Sequence, residues 1–133
     1  MKLTTKSEYS LLALVYIARH QQEGFIKIER ICSHYEIPKK YLELLFTILK
    51  RNGYLKTKRG AAGGYALAKP ASEITMAEII RLMDGALAPT ESVSKYFFSD
   101  TPLSREGNII NILREIRDYI AARLESVVLA DLI

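Results

Sequence analysis

Residues 37–69 read IPKKYLELLFTILKRNGYLKTKRGAAGGYALAK, and this stretch decides the fold. Its first part has apolar residues at the spacing of one helix face, with charged and polar residues on the other. A helix is predicted to begin at Pro38, whose missing N–H costs nothing in a first turn, and to end before Asn52-Gly53. The apolar face of this helix consists of Leu42, Leu45, Phe46 and Leu49.

The second part of the stretch is basic, rich in glycine and bounded by short apolar segments. Strands are predicted at about 54–58 and 65–68, because the glycines between them supply the positive φ that a tight reversal needs. The loop lacks the GxxxxGK[ST] and GxGxxG spacings of nucleotide-binding loops, and no helix follows it directly. The stretch therefore predicts a basic β-hairpin, for which a purely structural role is the alternative.

Two more helical patterns precede this stretch. Residues 5–8 read TKSE, a capping-box pattern in which we expect Thr5 to cap the helix and Glu8 to reach back. That helix continues to about His20. A shorter second helix has one apolar face, which consists of Ile28, Ile31, Cys32 and Tyr35. Three helices followed by a hairpin predict a mainly α fold, a winged helix-turn-helix with a two-stranded β wing.

Size, composition and charge limit the class of protein. The 133 residues suit one domain, and 49% hydrophobic with 26% charged residues is typical of a folded chain. Residues 1–70 contain 13 Lys and Arg against 5 Asp and Glu, a net charge of +8, whereas residues 71–133 contain 6 against 10, a net charge of −4. This asymmetry indicates that one face meets a polyanion. Without a membrane-length apolar run, a signal-peptide core or a cysteine pair, we expect a cytoplasmic protein.

The back half begins with a second capping box, Thr75-Met-Ala-Glu78, which predicts a helix that ends near Asp84. A linker and a long terminal helix are predicted to follow. We expect a winged-helix domain at 1–84, a linker or effector loop at 85–107, and a dimerisation helix with an apolar tail at 108–133. The terminal helix has a wide apolar stripe that its own domain is too small to cover, which predicts a homodimer unless the helix folds back. The predicted dimer contacts are Ile109, Leu113, Ile116, Ile120 and Leu124, with Ile112 on the same stripe.

A basic winged helix-turn-helix predicts an interface with double-stranded DNA. The first turn of its third helix carries Lys39, Lys40 and Tyr41, where lysines and the positive helix end meet phosphate in the major groove. Glu43 follows, and it can accept a hydrogen bond from a cytosine amino group and so read sequence.

The hairpin supplies the second set of predicted DNA contacts. Lys56 and Lys58 alternate on one strand and are expected to reach the sugar–phosphate wall. Arg59 stands beside the small Gly60 and is expected to enter a narrow minor groove, where the negative potential is enhanced. We expect Tyr65 to brace the hairpin against the body of the domain.

The whole chain resembles the family of bacterial winged-helix transcriptional regulators typified by IscR, NsrR and CymR. The resemblance lies in MKLTTKSEYSLLAL at the start, in the quoted stretch 37–69, in EIIRLMDG and in the final VVLADL. It implies a homodimer that is joined through the long C-terminal helix and binds a palindromic operator. It also implies that Tyr41, Glu43 and Arg59 stand at DNA-contacting positions, whereas Lys40 is added on its charge alone.

The chain departs from this family where some members hold an iron–sulfur cluster through three cysteines before the last helix. Here that loop reads ALAPTESVSKYFFSDTPLSREGN, without cysteine or histidine, although thiolates are the usual cluster ligands. We therefore predict no cofactor and no metal site. Cys32 lies on an apolar helix face and is expected to be a buried, unreactive thiol. His20 and His34 do not stand at a metal-ligand spacing.

The sequence therefore predicts a sequence-specific DNA-binding regulator, a homodimeric repressor on a palindromic operator that lacks a cluster-type sensor. An unknown small-molecule or protein effector could act on 85–107, where Tyr96, Phe97 and Phe98 cluster, unless these rings pack on the core. Control by abundance alone is a second option. A dimeric interaction module that has lost DNA binding is the alternative from another class. No carboxylate pair or nucleophile–base set stands at a convincing spacing, so we predict no enzyme.

Overall fold

The computed structural model describes residues 1–133, which form five α-helices and one antiparallel two-stranded sheet. The helices are α1 (Thr5–Arg19), α2 (Ile28–Tyr35), α3 (Lys39–Arg51), α4 (Met76–Asp84) and α5 (Gly107–Glu125), and the strands are β1 (Leu55–Lys58) and β2 (Gly64–Leu67). The order and type of these elements are those predicted. None of the helices is both long enough and apolar enough to cross a bilayer.

The start of α1 differs from the prediction. Thr4 caps the helix, because its backbone is extended and its Oγ1 accepts a hydrogen bond from the Lys6 amide at 3.2 Å. The carboxylate of Asp84 at the end of α4 holds Thr4 in place, accepting from its amide at 2.8 Å and from its hydroxyl at 2.6 Å. The expected capping box between Thr5 and Glu8 is therefore wrong, since Thr5 already lies inside the helix.

One apolar core joins α1, α2, α3 and the strands. The predicted apolar face of α3 is fully buried in this core, together with Leu14 and Ile17 of α1. Burial of a side chain of this size stabilises the fold by roughly 1.5–3 kcal/mol. Because four such side chains point inward, the rotation of α3 about its own axis is fixed, and its polar side faces solvent.

The apolar tail after α5 belongs to the same core. Leu129 is fully buried, and its amide donates to the Ile74 carbonyl at 2.9 Å. Met76 donates in turn to the Val127 carbonyl at 2.9 Å, beside an antiparallel bridge between Thr75 and Val128. The buried part of the tail is thus covered by its own chain.

Helix α5 packs on α4 and on the linker through two small apolar clusters. Residues 85–107, which lack a pattern in the sequence, contain two short 3₁₀ turns at Glu91–Val93 and Pro102–Arg105. The first cluster contains Ala77, Ile80 and Leu87, with Ile120 and Leu124 packed against it. The second contains Ala88, Val93 and Ile110, with Leu103 and Leu113 packed against it. The inward side of α5 is therefore used within the chain.

Candidate nucleic-acid interface

The turn between α2 and α3 presents the first turn of α3 to solvent. Helix α2 ends at Tyr35, the following Glu36 adopts a left-handed conformation with φ 56°, and Ile37 then enters the core. Lys39, Lys40 and Glu43 are exposed, as a DNA-facing surface requires. Three of the four predicted major-groove side chains therefore lie on one accessible side of α3.

Lys39 is shared between two carboxylates on this surface. Its Nζ lies 3.3 Å from Glu29 Oε1 and 3.9 Å from Glu43 Oε1. A hydrogen bond from its own backbone amide, and then Lys39, hold the pKa of the Glu29 carboxyl below its usual value. Since all three side chains are exposed, these pairs are weak and can exchange for phosphate contacts.

Tyr41 joins α3 to the beginning of α1. Its ring is half-buried and meets the ring of Tyr9 edge-on, with centroids 5.8 Å apart. Its hydroxyl lies 3.1 Å from Thr5 Oγ1, and either oxygen can be the donor. The predicted contact with DNA is therefore combined with a structural role that orients the first turn of α3.

Leu44 is a residue of this surface that sequence reasoning missed. It is 56% exposed, although every other leucine of α3 is buried. It lies one turn after Lys40 and one turn before Thr47 and Ile48 on the helix, so it shares the side that presents Lys40. An exposed apolar side chain in a major groove can contact a thymine methyl group. The helical period places Leu44 outside the buried face of α3. Because Leu44 is apolar like the leucines of the core, it was not singled out from the sequence as a surface residue.

The wing is an antiparallel pair in which Lys58 lies opposite Gly64. Lys56 and Lys58 are both exposed, and Arg59 and Gly60 follow at the exposed tip. Gly60 has a φ of 99°, a conformation that L side chains rarely adopt. Arg59 and Gly60 therefore lie at the solvent-facing tip of the wing, and Lys56 and Lys58 are exposed along the strand that leads to it.

A short segment before α2 fixes the base of the wing. Ile26 and Tyr65 exchange both backbone hydrogen bonds at 2.8 Å, and a Cβ on Gly64 would collide with the backbone of Ile26. The ring of Tyr65 packs edge-on against Phe46 of α3, with centroids 4.6 Å apart, and burial raises the pKa of its hydroxyl. Tyr65 thus braces the hairpin as expected.

Lys27 is a second residue that the sequence did not reveal. Its Nζ donates to the Gly60 carbonyl at 2.8 Å, which ties the tip of the wing to the residue that precedes α2. The two residues are 33 positions apart, so no local pattern could have paired them. Lys27 places a further exposed cation beside Arg59 and extends the basic surface toward α2.

The predicted dimer contacts divide between two sides of α5. Ile109 and Ile116 are exposed, next to Ile112 at 59% and Tyr119 at 73% exposure. By contrast, Leu113, Ile120 and Leu124 are half-buried against the clusters of their own chain. The wide stripe of the sequence is therefore two faces, and we name the exposed one, Ile109, Ile112, Ile116 and Tyr119, the outer stripe.

The comparisons with known proteins agree with this architecture. Residues 3–133 match the profile of the Rrf2 family, which is described as an iron-dependent transcriptional regulator. The chain belongs to the Rrf2 family. It is 33% identical to the HTH-type transcriptional regulator CymR of Bacillus subtilis over 132 residues, covering 99% of this chain and 89% of CymR. It is 33% identical to IscR of Serratia proteamaculans over 135 residues, covering 100% of this chain and 79% of IscR.

Solved structures of Rrf2 relatives show the same fold. The structure of CymR, the global cysteine regulator of B. subtilis, superposes with a TM-score of 0.80 at 31% identity, covering 99% of this chain and 95% of that one. The structure of T. potens IscR gives a TM-score of 0.72 at 28% identity, covering 99% and 85%. The resemblance and the winged-helix fold inferred from the sequence are confirmed, and the chain is a DNA-binding transcriptional regulator of this family.

The iron dependence in the family description does not fit the residues of this chain. The loop 85–107 contains no cysteine or histidine, and no group of three His, Cys, Asp or Glu side chains is placed to hold a metal ion. Cys32, the one thiol, is half-buried on α2, and burial raises its pKa, which disfavours the thiolate that a cluster needs. We therefore derive no sensing step through a cluster.

Proposed function

We propose that this Rrf2-family regulator is a homodimeric repressor that binds a palindromic operator and does not sense iron–sulfur clusters. The observation that carries the proposal is the outer stripe of α5, an apolar surface in a chain whose other long apolar faces are buried. Its members follow one another at intervals of three, four and three residues, which is the spacing of a helix-to-helix seam. A second copy of the chain supplies an identical stripe.

A two-fold axis beside α5 predicts a palindromic operator. Each subunit of an isologous dimer presents the same α3 and the same wing, so the two half-sites must have inverted sequences. We infer repression, in which the bound dimer blocks the access of RNA polymerase to the promoter. We place this binding in the cytoplasm, where the chromosome of a bacterium is accessible.

Each subunit reads its half-site through two elements. In α3, Lys39 and Lys40 pair with phosphates, while Glu43 and Leu44 face base edges, where they accept from cytosine and contact thymine methyl groups. Tyr41 orients this turn through Thr5 and adds a phosphate contact through its hydroxyl.

The wing makes the second contact of each subunit. Arg59 enters the minor groove, and Lys56 and Lys58 follow the adjacent backbone. Because Lys27 and the Ile26–Tyr65 bridge hold the hairpin in place, little conformational entropy is lost when the tip enters the groove.

The proposal is tested by recovering bound fragments from the host genome and sequencing them, together with sedimentation of the free and DNA-bound protein. We expect inverted half-sites about one or more helical turns apart, near 34–36 Å or its multiples, bound by two subunits. Direct repeats, or a monomer on each fragment, would falsify the two-fold arrangement. A promoter reporter that rises when the gene is deleted supports repression, and a fall shows activation.

A further inference from the structure

A cleft of about 330 Å³ opens between α4, the linker and α5. Arg81 of α4 lines one side, Tyr96 and Phe97 of the linker line the second, and Arg117 and Ala121 of α5 line the third. A volume of this size is at the small end of the range for small-molecule sites. The cleft touches the winged domain, the linker and the dimerisation helix at once.

The cleft is basic, although it lies in the acidic half of the chain. Residues 71–133 contain only six Lys and Arg, and three of these six line this one cleft. The same half contains ten Asp and Glu, of which two line the cleft. The basic members are Arg81, Lys95 and Arg117, and the acidic members are Asp118 and Glu125. This local excess of positive charge is opposite in sign to the surroundings.

Two of the three cations already have carboxylate partners. Arg81 pairs with Glu125 at 2.7 Å, and Arg117 pairs with Asp118 at 2.7 Å. Lys95 forms no ion pair with any carboxylate of the chain within 4.0 Å. Its Nζ lies 5.5 Å from the centroid of the Tyr96 ring, and the guanidinium carbon of Arg81 lies 4.9 Å from the same centroid. One aromatic ring thus holds two cations beside the cleft, and Lys95 carries the unpaired charge.

Dimerisation through the outer stripe leaves this cleft open on its own α5. With 3.6 residues per turn, the cleft-lining positions from Arg117 to Glu125 centre about half a turn away from Ile109, Ile112 and Ile116. A partner that covers the outer stripe therefore approaches the opposite side of the helix. The cleft remains accessible to a small molecule in the assembled dimer.

We propose that this cleft binds a small organic anion. The anionic group pairs with Lys95, and the flat or apolar body of the ligand lies against Phe97 and Ala121. Because Arg81 links α4 to α5 through Glu125 at the wall of the cleft, an occupant alters the contact between the winged domain and the dimerisation helix. The binding stands on the cleft alone, whereas its regulatory effect rests on the proposed operator binding.

The binding is tested by calorimetric titration of the full chain with benzoate and with phenyl phosphate, and with neutral benzamide as the matched control. We expect saturable binding of at least one anion with a Kd of about 1 mM or tighter, and none of benzamide. Preference for benzoate assigns the site to carboxylates, and preference for phenyl phosphate assigns it to phosphate esters. Failure of both anions to bind saturably would overturn the proposal.

Two variants locate the bound anion. Lys95→Gln removes the unpaired charge and should weaken binding roughly fivefold, whereas Arg105→Gln, an exposed cation of the same half that does not line the cleft, should leave it unchanged. Ala121→Leu fills the cleft and should abolish binding, with circular dichroism confirming the fold. Wild-type binding in both Lys95→Gln and Ala121→Leu, or an equal loss in Arg105→Gln, would overturn the proposal.

Operator titrations with and without the preferred anion separate the two proposals. An anion-dependent change in operator affinity that is lost in Lys95→Gln supports the regulatory site. If the wild-type chain binds no DNA, the proposed function is wrong. The calorimetric titration still shows whether the cleft binds an anion. If Lys95→Gln weakens operator binding in the absence of any anion, Lys95 is a DNA contact and the cleft proposal is wrong.

Discussion

The winged half and the back half of this chain differ in how far their apolar side chains are buried. In residues 1–84, the apolar face of α3 is fully buried and the exposed side carries lysines and a glutamate. In residues 85–126, three consecutive aromatic side chains and the outer stripe of α5 remain exposed, with Phe98 at 62%. The core of the winged half is closed within the chain, with Leu129 of the tail buried in it, whereas the back half exposes apolar side chains to solvent. The proposed function assigns DNA binding to the first of these parts and dimer assembly to the second.

The largest expected effect tests whether the tail after α5 belongs to the core of the winged half. Leu129→Ala should lower the free energy of unfolding by roughly 2–5 kcal/mol, because this tail residue is fully buried in the winged core. Urea denaturation measures the change. Ile133→Ala, four residues later and 53% exposed, is the control and should stay within about 0.5 kcal/mol of wild type. Equal effects of the two changes would show that Leu129 does not contribute to the core of the winged half.

The next effect tests whether the outer stripe of α5 joins two subunits. Ile116→Asp places a charge in the outer stripe, so the protein should sediment as a monomer and lose roughly a hundredfold in operator affinity, since two linked half-sites no longer act together. Asn111→Asp adds the same charge at an exposed position of α5 outside the stripe and should remain dimeric. A dimeric Ile116→Asp protein would show that another surface joins the subunits.

A smaller effect tests the tip of the wing. Arg59→Ala should weaken operator binding about tenfold and lower the slope of log affinity against log salt by about one, because one phosphate-equivalent contact is lost. Fluorescence anisotropy titrations at several salt concentrations measure both quantities. Arg114→Ala, an exposed arginine on α5, is the control for net charge. An unchanged slope for Arg59→Ala excludes the tip from the interface.

The next test asks whether Glu43 reads sequence. Glu43→Ala should reduce discrimination among bases at one operator position about fivefold, while total affinity changes little because Lys39 is released toward phosphate. Glu29→Ala also releases Lys39 but leaves the base-facing carboxylate in place, so its selectivity should match wild type. Selection from a randomised operator pool measures the preference. If both variants select the same sequences as wild type, Glu43 is only a partner of Lys39.

The smallest expected effect tests how firmly the wing is held. Lys27→Met removes the hydrogen bond to the Gly60 carbonyl and should weaken operator binding about threefold without unfolding the chain. Lys27→Arg keeps a donor and should restore most of the affinity. Amide exchange at residues 59–62 should be faster in Lys27→Met alone. The same exchange rate in all three proteins would mean that Lys27 does not position the tip.

The sequence could predict the parts of the molecule that depend on local spacing. The buried face of α3 and the capping box of Thr75 with Glu78 follow from residues within one or two turns, and both are present. The glycine-rich reversal of the wing is local in the same sense. The DNA-contacting roles of the predicted residues remain predictions, although their exposure on α3 and the wing agrees with them.

The features that the sequence could not predict depend on distant residues. Asp84 selects Thr4 as the cap across 80 positions, and Lys27 meets Gly60 across 33. Likewise, the period of α5 marks apolar positions but does not say that Leu113 faces its own chain while Ile116 faces solvent. Packing between elements determines which of these side chains is buried, and the helical period of one segment gives no information about that packing.

The burial of Leu129 has a consequence for operator choice. Helix α5 is attached to its winged domain at both ends, by the linker at its beginning and by the buried tail at its end, so the helix cannot pivot freely. In the proposed dimer, we expect the distance between the two α3 helices to depend on the length of the tail segment at 126–128. Insertion of one residue there should shift the preferred number of base pairs between half-sites while leaving the half-site sequence itself unaltered.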